Sequence, residues 1–546
     1  MLRLRALFLC IASLFSLLFG GASHVELTVG SVPSGEPISN IVSNVNVWDM
    51  GTSFYNAQKD PEYDVFEFVE YVQLMQCSGG TVQRDLLRDP TDTSVPDDYD
   101  FARLVKNCSG ILTLGAKPFL KLGSVPLKYS ASPLLGGFGM NVMPPYDYDV
   151  YYNYIYALAD TLVQTFGRDE VASWRFGVMT EFENSDWFYA GNKNAKASMQ
   201  AYCKLYDYTV QALIDAIGPD VFVGAHAMAV TEGLWDETDF IRHVAGGINY
   251  ATGKIGTRIC YLSASFYDVS PGRFTSGKTP AQTIGDLREA AERYGLHDLL
   301  YGVDEGRILQ SAPGRDSAEL CSRTVGYTWQ AAYDARLWTQ AIRSNMDWFS
   351  SWGYLSGGLH GYPTVSCHVA SAVHKMAGER LLGTTTSAAP LQKLTGIEVD
   401  ACAAADPDTG KTHVLVYNFR NDLAYNKRAD LKLRIALPQF AGQTITLREW
   451  RIDDDCNFFD EWLQDRKTYG ITDDCFSWSP DDPWLDSTTT LSDPDARRLY
   501  TDSLREKYKE CAALIPTAQT LAVPADGILT LERTLLPSSV LFLEAF

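Results

Sequence analysis

The stretch SWRFGVMTEFENSDW, residues 173–187, reads as a buried strand that ends in two carboxylates among polar and aromatic residues. A second stretch, LLYGVDEG at residues 299–306, is also an apolar run of strand length with a glutamate where the run stops. The glutamates in question are Glu181 and Glu305. In a parallel (β/α)8 barrel, catalytic groups lie at the C-terminal ends of strands, so these carboxylates are expected to converge. Their spacing suits strands four and seven.

Strand-like and helix-like segments alternate on both sides of this pair. Besides the two quoted strands, the pattern predicts barrel strands at 41–48, 81–87, 116–123, 220–226, 258–267 and 346–352. It predicts helices at 61–76, 101–108, 151–166 and 198–217. Eight strands with helices between them favour a closed (β/α)8 TIM barrel over an open doubly wound sheet.

The pattern of apolar and polar residues changes after about residue 385. Alternating segments such as THVLVYNFR and LKLRIALP are typical of antiparallel strands, so residues 390–546 are predicted to form an accessory β-sandwich. Residues 24–34 contain one more alternating segment, which is expected to join that sandwich. The catalytic barrel is assigned to residues 35–385.

The N-terminal residues 1–23 have two arginines, an apolar run and small residues at the end, which is typical of a secretory signal peptide. No later stretch approaches the roughly 20 apolar residues of a membrane span, so export without an integral membrane anchor is expected. The chain has 11 cysteines, of which ten follow the signal, and this even number permits disulfides without requiring them.

Composition narrows the choice of partners. A formal charge of −21 argues against nucleic acid and anionic membranes, because both attract basic surfaces. The chain contains 12 Trp and 29 Tyr, whose flat faces suit sugars, although core packing accounts for most aromatic residues. No metal-ligand spacing is present, so no metal and no cofactor are expected.

Two facing carboxyl groups are the catalytic groups of most glycosidases. One protonates the leaving oxygen, and the other attacks the anomeric carbon or activates water. Glutamates at strand ends are also helix caps and surface residues, so the pattern alone is weak. Glu183 is the rival of Glu181, because side chains two apart on a strand point the same way. Asp304 is expected to face away from Glu305.

Four segments in the same order resemble glycoside hydrolase family 39, the family of β-xylosidases and α-L-iduronidases. They are residues 99–126, SWRFGVMTEFEN at 173–184, LYGVDEGRI at 300–308 and EWRIDDDCNFFDEW at 449–462. The resemblance covers nearly all of the chain after the signal. It implies that Glu181 is the acid/base, that Glu305 is the nucleophile, and that the mechanism is retaining.

The same resemblance suggests substrate contacts, and here the chain departs from the family pattern. Thr180 stands where the family has an asparagine, and the family's His-x-Tyr on the sixth strand is Ser265-Phe266-Tyr267. Tyr267 is expected to orient Glu305 and Trp348 to form the floor of the sugar subsite, with core packing as the alternative for both. Glu183 and Arg84 complete the expected substrate-binding set.

These observations predict a secreted, retaining exo-glycosidase that acts on neutral arabinosyl or xylosyl linkages in oligosaccharides or plant polysaccharide side chains. A β-xylosidase proper is the near alternative, and an α-L-iduronidase-like uronidase is the distant one. A non-catalytic carbohydrate-binding barrel is the rival class.

Overall fold

The structure is a computed structural model that describes residues 22–47, 67–228, 233–270, 273–274, 278–308, 327–351, 363–471, 495 and 498–546. The strands in these ranges are β1 (Ser23–Pro37), β2 (Asn44–Val47), β3 (Tyr71–Leu74), β4 (Lys117–Leu122), β5 (Arg175–Val178), β6 (Phe222–Ala227), β7 (Tyr261–Ser270), β8 (Arg273–Phe274), β9 (Leu300–Ile308), β10 (Trp348–Ser351), β11 (Arg380–Thr386), β12 (Ile397–Ala405), β13 (Thr412–Arg420), β14 (Ala429–Ala436), β15 (Thr444–Ile452), β16 (Thr517–Ala522), β17 (Ile528–Leu535) and β18 (Val540–Ala545).

The α-helices in the same ranges are α1 (Ala102–Thr113), α2 (Tyr148–Phe166), α3 (Arg168–Ala172), α4 (Ala195–Ala216), α5 (Glu237–Gly246), α6 (Pro280–Arg293), α7 (Trp329–Arg343), α8 (Val365–His374), α9 (Ala389–Thr395), α10 (Phe459–Tyr469) and α11 (Arg505–Cys511). Among the helices of the described chain, none is long and apolar enough to cross a membrane.

The first sheet is a closed parallel barrel. Its hydrogen-bonded order is β6-β5-β4-β3-β2-β10-β9-β7, and the pairing of β6 with β7 closes the ring. The short strand β8 adds to β7 in antiparallel orientation. The predicted (β/α)8 fold class is therefore confirmed, with Glu181 just after the fourth barrel strand and Glu305 on the seventh.

The second barrel strand was wrongly predicted. It is β3 (Tyr71–Leu74), inside the segment 61–76 that was assigned to a helix, and residues 48–66 lie outside the described part of the chain. A four-residue strand buried on both faces carries too few residues to show a period of two, so it matched a helical face instead. Residues 81–87, the expected strand, begin with a turn in which the Asp85 amide donates to the Thr81 carbonyl.

The second sheet has nine strands in the order β16-β15-β18-β13-β12-β11-β1-β14-β17. The N-terminal strand β1 lies inside this sheet, antiparallel to β11 and parallel to β14. Side chains from strands near both ends, such as Leu447 of β15 and Leu531 of β17, belong to one apolar cluster. The sheet therefore curls around a core of its own, in the manner of a sandwich.

The strand β13 joins the barrel to the second sheet. Val414 and Val416 point into the core of the sheet, whereas Leu415 and Tyr417 belong to the large cluster of the barrel. This alternation follows from the opposite directions of successive side chains on a strand. The helix α7 packs against the same face, and its Arg336 pairs with Glu398 of β12 at 2.8 Å.

The eight cysteines within the described residues are all free thiols, and Cys10, Cys321 and Cys475 lie outside those residues.

Candidate active site

The backbone turns sharply where the fourth barrel strand ends. Met179 and Glu181 have positive φ angles of 66° and 44°, which are unfavourable for residues with a side chain. The Met179 amide donates to the Leu122 carbonyl at 2.6 Å, and this holds the turn against the neighbouring strand. Gly123 permits the approach, because a Cβ atom there would lie 2.8 Å from the Met179 nitrogen. The strained turn places Glu181 directly after the end of the fourth barrel strand.

The carboxyl group of Glu181 lies in a polar but enclosed environment. Its Oε2 accepts hydrogen bonds from Asn184 Nδ2 at 2.8 Å and from Trp187 Nε1 at 3.2 Å. The hydroxyl of Ser265 lies near the same carboxyl group. Burial nevertheless raises the pKa of Glu181 above its usual range, against the opposing effect of these three polar groups. A carboxyl group in this environment is suited to carry a proton.

Glu305 has a different environment. Its Oε1 accepts a hydrogen bond from the Tyr267 hydroxyl at 2.6 Å, a distance typical of a hydroxyl bound to a carboxylate. The charge of the buried Lys121 ammonium also reaches Glu305. A donor and a nearby cation both favour the ionised form, which is the form that a nucleophile requires. The two glutamates are thus held in contrasting environments, as acid and nucleophile roles demand.

Both carboxyl groups converge on one face of β7. Ser265 contacts Glu181 and Tyr267 contacts Glu305, and these two residues are separated by a single position on the strand. Side chains at positions i and i+2 point the same way and lie roughly 7 Å apart at their Cα atoms. The glutamates therefore flank the same end of the barrel, as the sequence predicted.

A bulge in β9 explains how Asp304 and Glu305 can both reach interior partners. The register with β7 shifts between Ala264 and Ser265, because Ala264 pairs with Val303 and Ser265 pairs with Glu305. Asp304 is the extra residue, so the normal alternation is interrupted there. It forms a fully buried ion pair with Lys121, and it accepts a hydrogen bond from Trp348 Nε1 at 2.7 Å. The expectation that Asp304 faces away from Glu305 does not allow for this bulge.

The placement of Trp348 contradicts the sequence prediction. It is the first residue of β10, is fully buried, and packs edge-on against Tyr261 with 5.3 Å between ring centroids. The interior of a barrel is filled in layers, and this layer lies below the glutamates. Trp348 therefore has no exposed face for a sugar, and core packing, the alternative reading, is correct.

Glu183 and Arg84 are also buried, with 1% and 2% of their surface exposed. Glu183 Oε1 accepts a hydrogen bond from the Met228 amide at 2.7 Å, so it supports the loop after β6. Arg84 lies in the loop after β3, and its Nη1 atom is 2.9 Å from the sulfur of Met140, which follows β4. Contact of these two side chains with substrate stays a prediction, because sequence position does not show which strand-end polar groups are enclosed.

Thr180 lies between Met179 and Glu181 and is 1% exposed. Its hydroxyl oxygen has no hydrogen-bond partner among the described residues. Contact of this hydroxyl with substrate stays a prediction.

The sequence reasoning missed Asn184 and Trp187 as donors to Glu181, although both stand in the stretch that identified the site. Both residues have side-chain N–H groups and lie within six residues of Glu181, and this could have indicated that they donate to its carboxyl group. It also missed the pairing of His226 with Ser265, whose Nε2 and Oγ atoms are 2.9 Å apart. Those residues come from different strands, so no local pattern could have joined them.

Fold and site define the class of this protein. A closed parallel barrel with a glutamate after strand four and another on strand seven is the arrangement of barrel glycoside hydrolases. The model of glycosyl hydrolases family 39 matches residues 83–288. The resemblance to this family found in the sequence is confirmed.

Individual relatives agree with this resemblance. The chain is 24% identical over 288 residues to a β-xylosidase from Caldicellulosiruptor saccharolyticus, a match that covers 50% of the chain and 55% of the relative, about half its length. The solved GH39 enzyme from Xanthomonas axonopodis pv. citri has a TM-score of 0.61 at 15% identity, covering 95% of this chain and 97% of that one. The bacterial orthologue of human α-L-iduronidase has a TM-score of 0.63 at 14% identity, and the match covers 96% of this chain and 84% of that one. The two structural matches support the fold alone.

Proposed function

We propose that the chain is a retaining exo-glycosidase that hydrolyses neutral pentosyl linkages by double displacement. The observation that carries the proposal is the convergence of Glu181 and Glu305 on Ser265 and Tyr267 of one strand. One carboxyl group is buried with a raised pKa, and the other accepts a hydrogen bond from a tyrosine and lies near an ammonium. This contrast supports an acid role for Glu181 and a nucleophile role for Glu305.

In the first step, Glu305 attacks the anomeric carbon while Glu181 gives its proton to the leaving oxygen, and the glycosidic bond breaks. The product is a glycosyl ester on Glu305 and a free alcohol. In the second step, the ionised Glu181 takes a proton from water, and the resulting oxygen attacks the anomeric carbon and releases Glu305. Asn184 and Trp187 stabilise the ionised Glu181 between the steps, because both donate to its Oε2 atom.

A neutral sugar is favoured over a uronate. Recognition of a sugar carboxylate is best served by a bidentate arginine, and Arg307 is the cation that follows Glu305. Arg307 Nε lies 2.6 Å from Asp334 Oδ1 and its Nη2 donates to Asp334 Oδ2 at 2.9 Å, so an interior carboxylate already occupies the Nε–Nη2 edge of this guanidinium. Arg84, the other candidate, is buried.

Among neutral sugars, the names of the curated relatives favour xylosyl, and the departures at Thr180 and Ser265 favour a related residue such as arabinosyl. Both would be released from chain ends in oligosaccharides or plant polysaccharide side chains. A β-xylosidase proper is the close alternative. Secretion rests on the sequence of residues 1–23 and is proposed on that ground. Mass spectrometry of the N-terminus of protein recovered from the medium tests it.

Azide rescue tests the chemistry with a matched control. Glu305→Ala should abolish hydrolysis of 2,4-dinitrophenyl glycosides, and azide should restore turnover with an inverted glycosyl azide. Glu181→Ala should retain slow cleavage of the same substrates, and azide should give the product of retained configuration. Glu183→Ala, which changes a glutamate two positions away, should show neither rescue. Full activity of Glu305→Ala would remove this residue from the nucleophile role.

The sugar is tested with a panel of 4-nitrophenyl β-xyloside, α-L-arabinofuranoside, α-L-arabinopyranoside, β-galactoside and α-L-iduronide, beside arabinogalactan and arabinoxylan. Preferential cleavage of the iduronide would overturn the choice of a neutral sugar. Activity confined to the polymers would mean that binding beyond the cleaved sugar supplies the energy.

A further inference from the structure

Asp304, the residue before Glu305, receives polar contacts from four other barrel strands. Its carbonyl oxygen accepts hydrogen bonds from Asn46 Nδ2 of β2 at 3.0 Å and from Gln73 Nε2 of β3 at 2.8 Å. Its carboxylate pairs with Lys121 of β4 and accepts a hydrogen bond from Trp348 Nε1 of β10 at 2.7 Å. All five residues are buried, with at most 1% of their surface exposed. We call the four residues around Asp304 the Asp304 cluster.

These contacts fall on the extra residue of the bulge in β9. The register with β7 shifts between Ala264 and Ser265, and Asp304 is the residue that the shift leaves out. The register with β10 shifts at the same place. A residue left out of the ladder needs other donors for its carbonyl oxygen, and the two amide groups of the Asp304 cluster supply them.

The bulge decides which way the Glu305 side chain points. Successive side chains on a strand point to opposite faces, so a shift of β9 by one residue would turn Glu305 away from Tyr267. With the bulge in place, Glu305 Oε1 accepts the hydrogen bond from the Tyr267 hydroxyl at 2.6 Å. The contacts that hold Asp304 therefore act on the placement of its neighbour.

The polar groups of the Asp304 cluster are costly for folding. Asn46 Oδ1 and Gln73 Oε1 are buried and have no hydrogen-bond partner among the described residues. Such a buried acceptor costs about 1–3 kcal/mol. A buried ion pair, here that of Lys121 with Asp304, is often no more stabilising than apolar side chains of the same volume. Stability alone therefore does not account for these residues, and what they share is contact with Asp304.

We propose that the Asp304 cluster is a set of positioning residues that holds the bulge of β9 and thereby fixes Glu305 against Tyr267. The proposal rests on the proposed nucleophile role of Glu305. In this role the cluster moves no proton, and it stabilises one backbone arrangement of β9. The attacking oxygen is then in place before the sugar binds, which reduces the entropy lost when the two reacting atoms meet.

The test replaces the two amides by apolar side chains of similar size, Asn46→Leu and Gln73→Met, in the full-length chain. Each change removes a donor to the Asp304 carbonyl and a buried oxygen that has no partner among the described residues. Each single variant should lower kcat/KM about threefold or more, with a midpoint of thermal unfolding at or above that of the wild type. The amide double variant should lose roughly 10- to 100-fold, because small displacements of a reacting group are costly. Lower stability with full activity would overturn the proposal.

The matched control is Gln340→Met. This glutamine lies on α7, and its Oε1 atom is also buried without a hydrogen-bond partner among the described residues. The substitution is the same as at Gln73, but it removes no contact of Asp304. It should leave kcat/KM within about twofold of the wild type. An equal loss in Gln340→Met and Gln73→Met would overturn the proposal.

The ion pair gives a second route to the same result. Lys121→Met combined with Asp304→Asn removes both charges together, so neither variant side chain leaves an unpaired buried charge. This combination should also lower kcat/KM roughly 10- to 100-fold. Full activity would overturn the part assigned to the ion pair.

Two substrates separate a displaced nucleophile from a displaced acid. The leaving group of 4-methoxyphenyl β-xyloside needs protonation, whereas that of 2,4-dinitrophenyl β-xyloside does not. Attack by Glu305 is common to both, so the amide double variant should lose kcat/KM by the same factor, within about threefold, on the two substrates. A loss confined to the methoxyphenyl substrate would assign the effect to Glu181 and overturn the proposal.

Coupling to Tyr267 is a readout that a merely structural role would not move. In the wild type, Tyr267→Phe removes the donor to Glu305. In the amide double variant, where Glu305 no longer meets Tyr267, the same change should lower kcat/KM less than about threefold. Fully multiplicative effects of the two changes would overturn the proposal.

A measurement without substrate keeps this test apart from the proposed function. In protein labelled with 13C at glutamate carboxyl groups, the Glu305 resonance is identified by its loss in Glu305→Gln and then titrated. The pKa of Glu305 should rise in Tyr267→Phe and also in the amide double variant, because both lose the tyrosine donor, and it should not move in Gln340→Met. An unchanged pKa in the amide double variant would overturn the proposal. Failure of the wild type on every glycoside, with the expected titration, would overturn only the proposed function.

Discussion

Truncation of Leu27 to alanine tests the placement of the N-terminal strand. Leu27 of β1 is fully buried in the core of the second sheet, and its backbone neighbours are Thr386 of β11 and Leu433 of β14. A strand with partners on both sides cannot shift to fill the space, so a cavity should remain. Leu→Ala changes at such positions reduce the free energy of unfolding by about 2–5 kcal/mol, and we expect the upper half of this range.

The control is Val32→Ala on the same strand, where the side chain is 75% exposed. That change should alter the free energy of unfolding by no more than about 0.5 kcal/mol. Urea unfolding at fixed pH measures both variants. Equal effects of Leu27→Ala and Val32→Ala would contradict the burial of β1.

The same experiment asks whether barrel and sheet unfold together. The strand β13 contributes side chains to both cores, and α7 of the barrel is tied to β12 by the Arg336–Glu398 ion pair. Most of the 12 tryptophans, including the fully buried Trp174 and Trp338, lie within residues 35–385, so fluorescence reports mainly on the barrel, and far-ultraviolet circular dichroism reports on the whole chain. Leu27→Ala should lower both midpoints equally. A fluorescence midpoint that stays at the wild-type value would refute the coupling.

Three further predictions follow from single contacts. Tyr267→Phe removes the donor to Glu305, a charge-assisted bond of about 1.5–3 kcal/mol, so kcat/KM should fall roughly 10- to 100-fold. Tyr206→Phe, whose hydroxyl donates to a backbone carbonyl at 3.0 Å, should leave kcat/KM within about twofold of wild type, and a similar loss would contradict a specific role for Tyr267. Burial raises the pKa of Asp85 from 3.8 to about 7. Because this carboxyl group is harder to ionise in the folded protein, the free energy of unfolding should fall by at most about 4 kcal/mol as the pH rises from 4 to 7. In Asp85→Asn, the free energy of unfolding measured in urea should therefore depend less on pH over that interval. Glu183→Gln should lower the midpoint of thermal unfolding with little change in kcat/KM, and the reverse result would support a substrate contact for this residue.

Much of the barrel could be predicted because its strands are unusually apolar. Segments such as the one at 116–123 and the one ending at Glu305 are buried on both faces, and this leaves an apolar run of strand length between polar boundaries. The prediction failed at Tyr71–Leu74, where the strand is too short for its period to show. A short buried strand and one face of a helix contain the same kinds of residue.

The sequence by itself determined that Glu181 and Glu305 stand at strand ends, because a change from apolar to acidic residues is local information. Only the tertiary structure decided which polar groups around them are accessible. Glu183 and Trp348 are residue types that bind sugars. In the structure, however, Glu183 accepts a hydrogen bond from a backbone amide, and Trp348 donates one to Asp304. Burial depends on the neighbouring strands, which the local sequence does not contain.

The tertiary structure also decided the partners of β1 and of Ser265. An alternating segment at residues 23–37 shows that a strand forms, but its pairing with β11 and β14 joins residues more than 300 positions apart. In the same way, a serine on β7 meets a histidine from β6 and a glutamate that follows β5. Contacts of this kind depend on the closure of the barrel, which places the ends of separate strands side by side.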